Sequence, residues 1–588
     1  MRTHLPSQLA PLVIAALVAV YAAVYLPFLP NAQGLWADDY SLHFPNLLVG
    51  LYWRLANGLV PAPWFNPGEC GGVPYFADPN VAYYAAPQAL TFFVSPTAAI
   101  RATFLAFAAA GCGFAYLLMR SSFAASRSAA AVVAGLFLFN GYYAARMLIG
   151  HLTFHAFMLA PALAMALLPG PGAKRSVGAF ALRAGGGALI LAYMFQSGMV
   201  HGVPPLGLSV LALALLQALT VGVDRRWPAI AASAALGALA LSASKFAAEV
   251  SWLSQFPRSL YPLPGVADWK FALALGPLTL LGYAPEKAEF LVNSVWLQHR
   301  HEWEYGVSVV PAALLLVAAT NALAGGALAR LTIRRAALAL ALLALTFAPS
   351  ALNFYSPGWN AVLKSLPFFG ESSSLLRFFS ANILPATVLA GLLVDRIAGA
   401  ATTRLGGRPA LAAAAIALLL LQVFVTPRAY YAAAAQYDAA RVEIAAAAAR
   451  AIGVVHPVTW IVDNGSGPES GTSVENCYQP IFGYRLEAFP RGPLKVGPID
   501  VGPQEPFNLK NPACYVFPSE NACVPGAQFS AVDRDRALAF AAYRPFAFER
   551  STTQTVADDV TLAALVAFTA GALAALFGAL RRALTARS

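Results

Sequence analysis

Carboxylates are scarce in this chain, and the first two stand side by side. Asp38 and Asp39 lie in the stretch Trp36-Ala37-Asp38-Asp39-Tyr40, directly after the first apolar run. Glu69 and Asp78 follow in the same loop, among Pro63-Trp64-Phe65-Asn66-Pro67-Gly68 and Gly71-Gly72-Val73-Pro74-Tyr75. An idle charge at a membrane surface carries a desolvation cost, so acids held there by a loop rich in Pro, Gly and aromatic residues point to a site. Their chemistry would be to align or deprotonate a hydroxyl group. Adjacent residues rarely face the same way, so one of the pair is expected to face the reaction and the other to be structural. The bland alternative is an acidic turn that caps the loop. Trp36, Tyr40, Trp64, Glu69 and Asp78 are the expected lining of the site and its acceptor side. Asp38, Asp39, Glu69 and Asp78 could also share a divalent Mg or Mn ion through oxygen ligands. No spacing demands one, and no cofactor is required.

Cations for an anionic leaving group are sought near the same surface. Arg377 follows Gly370-Glu371-Ser372-Ser373-Ser374, where an outer loop re-enters the membrane, and an arginine at that depth needs an anionic partner. Its structural alternatives are a bridge to Glu371 or snorkelling to the surface. Arg146 and His151 flank a short loop between two apolar runs, and His155, one turn on, is expected to share His151's face. Lys245 and Glu249, also one turn apart, are expected to pair, with Lys245 a further candidate for phosphate. The run His299-Arg300-His301-Glu302-Trp303-Glu304 reads as an interfacial polar belt with an aromatic anchor in preference to a metal site. The chain has no phosphate-cradling Gly-rich loop, nucleotide fingerprint or Gly-x-Ser-x-Gly elbow.

The elements that must position these groups are membrane helices. Of 588 residues, 59% are hydrophobic and 11% charged, where a soluble protein is near a quarter charged. Apolar runs reach the roughly 20 residues that cross a bilayer, without the alternation of barrel strands. Twelve spans are expected, near 9–29, 97–119, 129–147, 152–169, 185–200, 204–222, 228–245, 306–326, 336–350, 374–394, 409–426 and 559–580. The net charge of +11 is a topology signal. Seventeen of the 38 basic residues fall in short loops with only Asp224 and Asp395 for company, leaving 21 basic against 25 acidic residues elsewhere. By the positive-inside rule those loops and both termini are cytoplasmic, and no nucleic acid is needed to explain the charge. The long loops, 30–96, 246–305, 351–373 and 427–557, then share the non-cytoplasmic face of the membrane.

The expected fold class is an all-α polytopic membrane protein with a small α/β extracytoplasmic domain. Residues 1–426 form the membrane domain, 427–557 the outer domain, and 558–588 a last span and tail. The outer domain should open with a helix over 430–451 whose polar face carries Gln436, Asp438, Arg441 and Glu443. A strand at Val458–Val462 should follow. Cys112 lies in a span, and the other four cysteines lie in outer loops. Cys514 and Cys523 frame a short loop suited to a disulfide in an oxidising compartment, with Cys477 not excluded as a partner.

With these motifs in place, the chain resembles the GT-C superfamily of integral-membrane glycosyltransferases, most closely its YfhO-like branch. The matching features span residues 10–400. They are Asp38-Asp39 after the first helix, Trp64…Gly71-Gly72-Val73-Pro74…Asp78-Pro79, Arg146 through Leu152, and Leu366-Pro367-Phe368-Phe369 before Leu376-Arg377-Phe378-Phe379. The resemblance implies a polyprenyl-phosphate sugar donor, transfer at the outer face and a catalytic acid in the first loop. That role falls on Asp38 or Asp39, and analogy with Asp-Glu pairs tips it toward Asp38. The expected partners are the lipid-linked sugar, membrane lipid and an envelope glycan, lipid or protein acceptor. The alternatives are a lipid-linked oligosaccharide transporter or flippase, for which intramembrane charges look sparse, and a non-catalytic envelope assembly protein.

Overall fold

The computed structural model describes residues 9–256, 261–294, 299–324, 332–400, 407–465, 467–475, 477 and 494–585. Helices dominate. Among the described residues nine are long and apolar enough to cross a membrane, or ten if the bent pair Trp227–Leu241 and Ala243–Leu253 is one span. Every one of the twelve expected stretches carries a helix. Leu152–Leu167 is apolar yet short, and the described part of another apolar helix, Val310–Ala324, ends at the undescribed residues 325–331. The first of these opens as a 3-10 helix, Leu152–Leu159, and turns α-helical only at Ala160. The expected span at 228–245 breaks at Ser242 with a bend of 71°.

Two ends of the bundle are distinct. At one end Ser126 N donates to Asp395 Oδ2 at 2.7 Å, and Arg408 Nε lies 3.2 Å from Asp395 Oδ1. The basic loops around 120–127 and 395–408 therefore meet there, apart from residues 401–406, which lie outside the described set, as do the basic residues Arg2, Arg330, Arg404 and Arg587. The span Arg127–Ile149 starts at this end and carries His151 to the other. The span Leu376–Gly399 starts with Arg377 at that other end and returns to Asp395. Ser126 Oγ and Asn140 Oδ1 accept from Ala129 N and Tyr143 N and so start the two helices of the former span.

The long outer segment forms a cap bound tightly to the first loop. Its expected first helix is interrupted: Ala429–Ala433 is helical, Ala435–Tyr437 is a strand, and Ala440–Ile452 is helical again. The interruption has a tertiary cause. Tyr437 and Ala435 pair antiparallel with Trp36 and Ala37, so Gln436 belongs to a strand instead of a helical face. Trp460–Val462 forms the expected strand, at the centre of a three-stranded sheet, parallel to Thr472–Val474 and antiparallel to Gly497–Pro498. Two disulfides hold the cap. Cys514–Cys523 closes the short loop, and Cys70–Cys477 ties the cap to the first loop. Cys112 is free and buried.

Candidate functional site

Asp39 is brought into place by a glycine. Gly150 ends the helix Gly141–Ile149 in the left-handed region, at φ +113°. A Cβ there would sit 2.6 Å from Tyr40 N and 2.9 Å from Asp39 Cβ, so only glycine lets the two backbones touch. The next residue, His151, sets its Nε2 2.7 Å from Asp39 Oδ2. From the other side Arg146 Nη1 donates to His151 Nδ1 at 3.1 Å. An accepting Nδ1 assigns the proton to Nε2, so the ring donates to the carboxylate and fixes its direction. Burial alone would raise Asp39's pKa. The interaction with His151 outweighs burial and leaves the carboxyl below its ordinary value. Asp38, by contrast, is exposed, with no side-chain partner among the described residues.

Behind His151 stands a fully buried ion pair. Arg146 Nη1 and Nη2 reach Glu302 Oε1 and Oε2 at 2.7 and 2.8 Å, a two-pronged geometry. Burial opposes the charge on Glu302, but Arg146 holds its carboxyl well below the usual range. His301 lies 3.7 Å from Glu302 and bonds Tyr430 of the cap at 2.9 Å; burial lowers its pKa to about 3, so it is neutral. Arg300 pairs with Glu304 at 2.6 Å, and Glu304 accepts from Tyr431. The run 299–304 is thus built into the site and is not an interfacial belt: Trp303 is buried against Phe290.

Arg377 completes the cluster. Its guanidinium lies 5.3 Å from the centre of the Phe154 ring, and Arg146 lies 5.2 Å from the same ring. His151 and His201 pack on Phe154 at 5.5 and 4.9 Å. Among the described residues Arg377 pairs with no carboxylate. Glu302 feels it as a longer-range attraction, and with His151 neutral Arg146 and Arg377 together balance Glu302 and Asp39.

The residues closest to a metal set are His151, His301 and Glu302, whose ligand atoms lie within 4.8 Å of one another. They do not fit a metal. Arg146 Nη1, 2.7 Å from Glu302 and 3.1 Å from His151, already supplies the positive charge between them. Both nitrogens of His151 are engaged. Among the described residues Asp38, Asp39, Glu69 and Asp78 do not come together as a ligand set.

Several expected site residues work elsewhere. Lys245 is buried, donating to Phe76 O at 3.1 Å and Asp78 O at 3.0 Å, and lies 3.4 Å from Glu249, so its charge is used inside the protein. Arg146 and His151 are committed to Glu302 and Asp39. His155 does not share His151's face. Residues four apart in a 3-10 helix diverge, and His155 bonds Tyr193 and Leu152 O, both at 2.7 Å. Trp36 and Tyr40 are buried, Tyr40 donating to Met147 O at 2.6 Å, so they brace Asp39 from behind. Trp64 packs on Phe76, Phe517 and Phe548 at the cap. Glu69 is buried beside the Cys70–Cys477 disulfide, bridged through its backbone to Val474. Burial, then Asp78, raises its pKa to about 8.

Glu302, His301, His43 and Tyr430 were not anticipated as site residues. Six of the eight histidines, His43, His151, His155, His201, His299 and His301, gather around this site. That concentration of a rare residue at the ends of apolar runs was the available signal. Fold and site together define a polytopic helical membrane protein with a charge-balanced cluster at one membrane end beneath a disulfide-tied cap. No protein-family model, curated protein or solved structure matches this chain.

Proposed function

We propose that the protein is a glycosyltransferase of the GT-C kind. It would move a sugar from a polyprenyl-phosphate donor to an envelope glycan, lipid or protein at the outer face of a bacterial inner membrane. The observation that carries this reading is the placement of a directed carboxylate, Asp39, and a guanidinium in no ion pair among the described residues, Arg377, on either side of His151 and Phe154. The acceptor hydroxyl oxygen bonds to the anomeric carbon while the bond from that carbon to the phosphate oxygen breaks. The hydroxyl proton passes to Asp39, and the charge on the departing polyprenyl phosphate faces Arg377. A carboxylate held below its ordinary pKa is a weak base, so its first task is alignment. It takes the proton late, once carbon–oxygen bond formation has made that proton acidic. Supporting the enzyme over a transporter, this cluster lies at one end of the bundle, whereas transporters place polar groups near the midplane.

The test is mass spectrometry of lipid-linked sugars and envelope glycans from cells with and without the protein, followed by transfer in proteoliposomes. A lipid-linked sugar that accumulates without the protein, and a glycan that loses that same sugar, are expected. Unchanged profiles together with no transfer would overturn the proposal.

A further inference from the structure

The seam between first loop and cap exposes apolar residues where a water-soluble surface would not. Leu59 is 60% exposed, Val60 84% and Phe93 74%, with Leu55 and Val94 beside them in sequence. They form one edge. Arg54 of the helix Tyr40–Asn57 lies 4.4 Å from the Phe92 ring centre and 5.3 Å from that of Phe93. Asn57 Nδ2, one turn on, donates to Tyr543 O at 2.7 Å.

Two membrane spans leave from this edge. Phe92–Val94 run directly into the span Pro96–Ser122, and Phe548–Arg550 run into Thr552–Gly578. Beside Leu59 and Val60, Trp53, Pro61, Trp64, Phe546, Phe548 and the exposed Arg544 line a shallow depression of about 40 Å³. Its walls are almost wholly apolar. Among the described residues the Arg544 guanidinium and the Trp64 indole N–H have no partner. A sugar would need many hydrogen-bonding groups that these walls lack. An apolar layer edged with anionic headgroups needs what is there.

We infer that this edge is seated in the lipid headgroup layer, with Arg544 holding the phosphate of an anionic phospholipid. Aromatic rings and arginines at the level where spans begin are the residues that anchor at such an interface. The inference does not depend on the transfer reaction. Its functional content is positional: the helix that begins at Asp39 has its far end fixed to the bilayer, which sets the height of the carboxylate.

Spin labels test it in nanodiscs of phosphatidylcholine and phosphatidylglycerol, in a Cys112→Ala background. Labels at Val60→Cys and Phe93→Cys should collide with oxygen several-fold more than with a water-soluble nickel chelate. A label at Val532→Cys on the cap, where the native side chain is 94% exposed, should show the reverse. Native mass spectrometry should find phosphatidylglycerol retained by the unaltered protein, and retained at least several-fold less by Arg544→Ala. Labels at Val60 and Phe93 that behave like that at Val532 would overturn the seating. Equal lipid retention by Arg544→Ala would overturn the headgroup assignment. Shielding of the Val60 label by a soluble oligosaccharide, with no lipid retained, would replace the lipid with a glycan.

Discussion

Two clusters of charge lie against the first loop, and they are built on different plans. Around Asp39 each acid is held by a directed partner: His151 donates to Asp39, and Arg146 grips Glu302 with both prongs. Arg377 stands beside them on the Phe154 ring, in no ion pair among the described residues. Around Glu69 the acids are held with less direction. Glu69, Asp78 and Glu249 are all buried, and Lys245 lies 3.4 Å from Glu249. The first plan keeps its carboxylates charged. In the second, burial, then Asp78, drives a proton onto Glu69. What separates the two clusters is therefore the partner each acid is given and not how many charges are gathered.

The largest effect that sharpens this contrast is expected at the acid pair. Asp39→Asn should keep the fold and lower transfer by about two to four decades, the usual loss for a general base. Asp38→Asn should transfer at close to the unaltered rate, because Asp38 stands outside the cluster. Equal losses in a proteoliposome assay would break the distinction between the two aspartates. As pH falls, transfer should persist until the depressed pKa of Asp39 is reached and only then decline.

Next in size is the ion pair behind the site. Arg146→Ala leaves Glu302 buried without a partner, which typically costs about 3–5 kcal/mol. Arg146→Met with Glu302→Met should cost less than Arg146→Ala alone, read by thermal unfolding in detergent. If the double variant is the less stable, the pair contributes more than mutual neutralisation. Arg377 should matter less to stability and more to binding. Arg377→Ala should weaken donor binding by about 2 kcal/mol, and Arg377→Lys by less, since it keeps the charge but loses the fork. Unchanged affinity in Arg377→Ala would make Arg377 structural.

The smallest effect is one of slope. Glu69 is raised from 4.5 to about 8, so the folded protein binds a proton there that the unfolded chain does not. Its contribution to stability is lost as pH climbs from about 4.5 to about 8, and the loss levels off above that. Glu69→Gln should flatten this part of the stability–pH curve, measured by thermal unfolding at pH 5, 7 and 9. An identical slope in the variant would mean that Glu69 is not the group that titrates across this range.

Much of the fold was legible because hydropathy is local. Each of the twelve apolar runs became a helix. Length and straightness were less so. Apolarity does not reveal that Leu152–Leu159 winds as a 3-10 helix or that the chain turns by 71° at Ser242. Of the site, the acid pair, Arg146, His151 and Arg377 could be picked out as rare charges beside spans. Their partners could not. Glu302 stands 156 residues from Arg146, and its buried pairing exists only after the spans pack. The strand Ala435–Tyr437 was hidden for the same reason, since its Ala-rich surroundings favour helix until Trp36 and Ala37 offer an edge.

The link between Cys70 and Cys477 also imposes an order on biogenesis. The two residues are 407 positions apart. At about 5–20 residues per second the ribosome needs about 20–80 s to make that stretch. Through that interval Cys70 is translated while its mate, and Cys514 and Cys523 after it, do not yet exist. The acid-bearing loop must wait as a free thiol for nearly the whole membrane domain to be inserted. Final closure of the loop thus doubles as a signal that almost all of the chain has arrived.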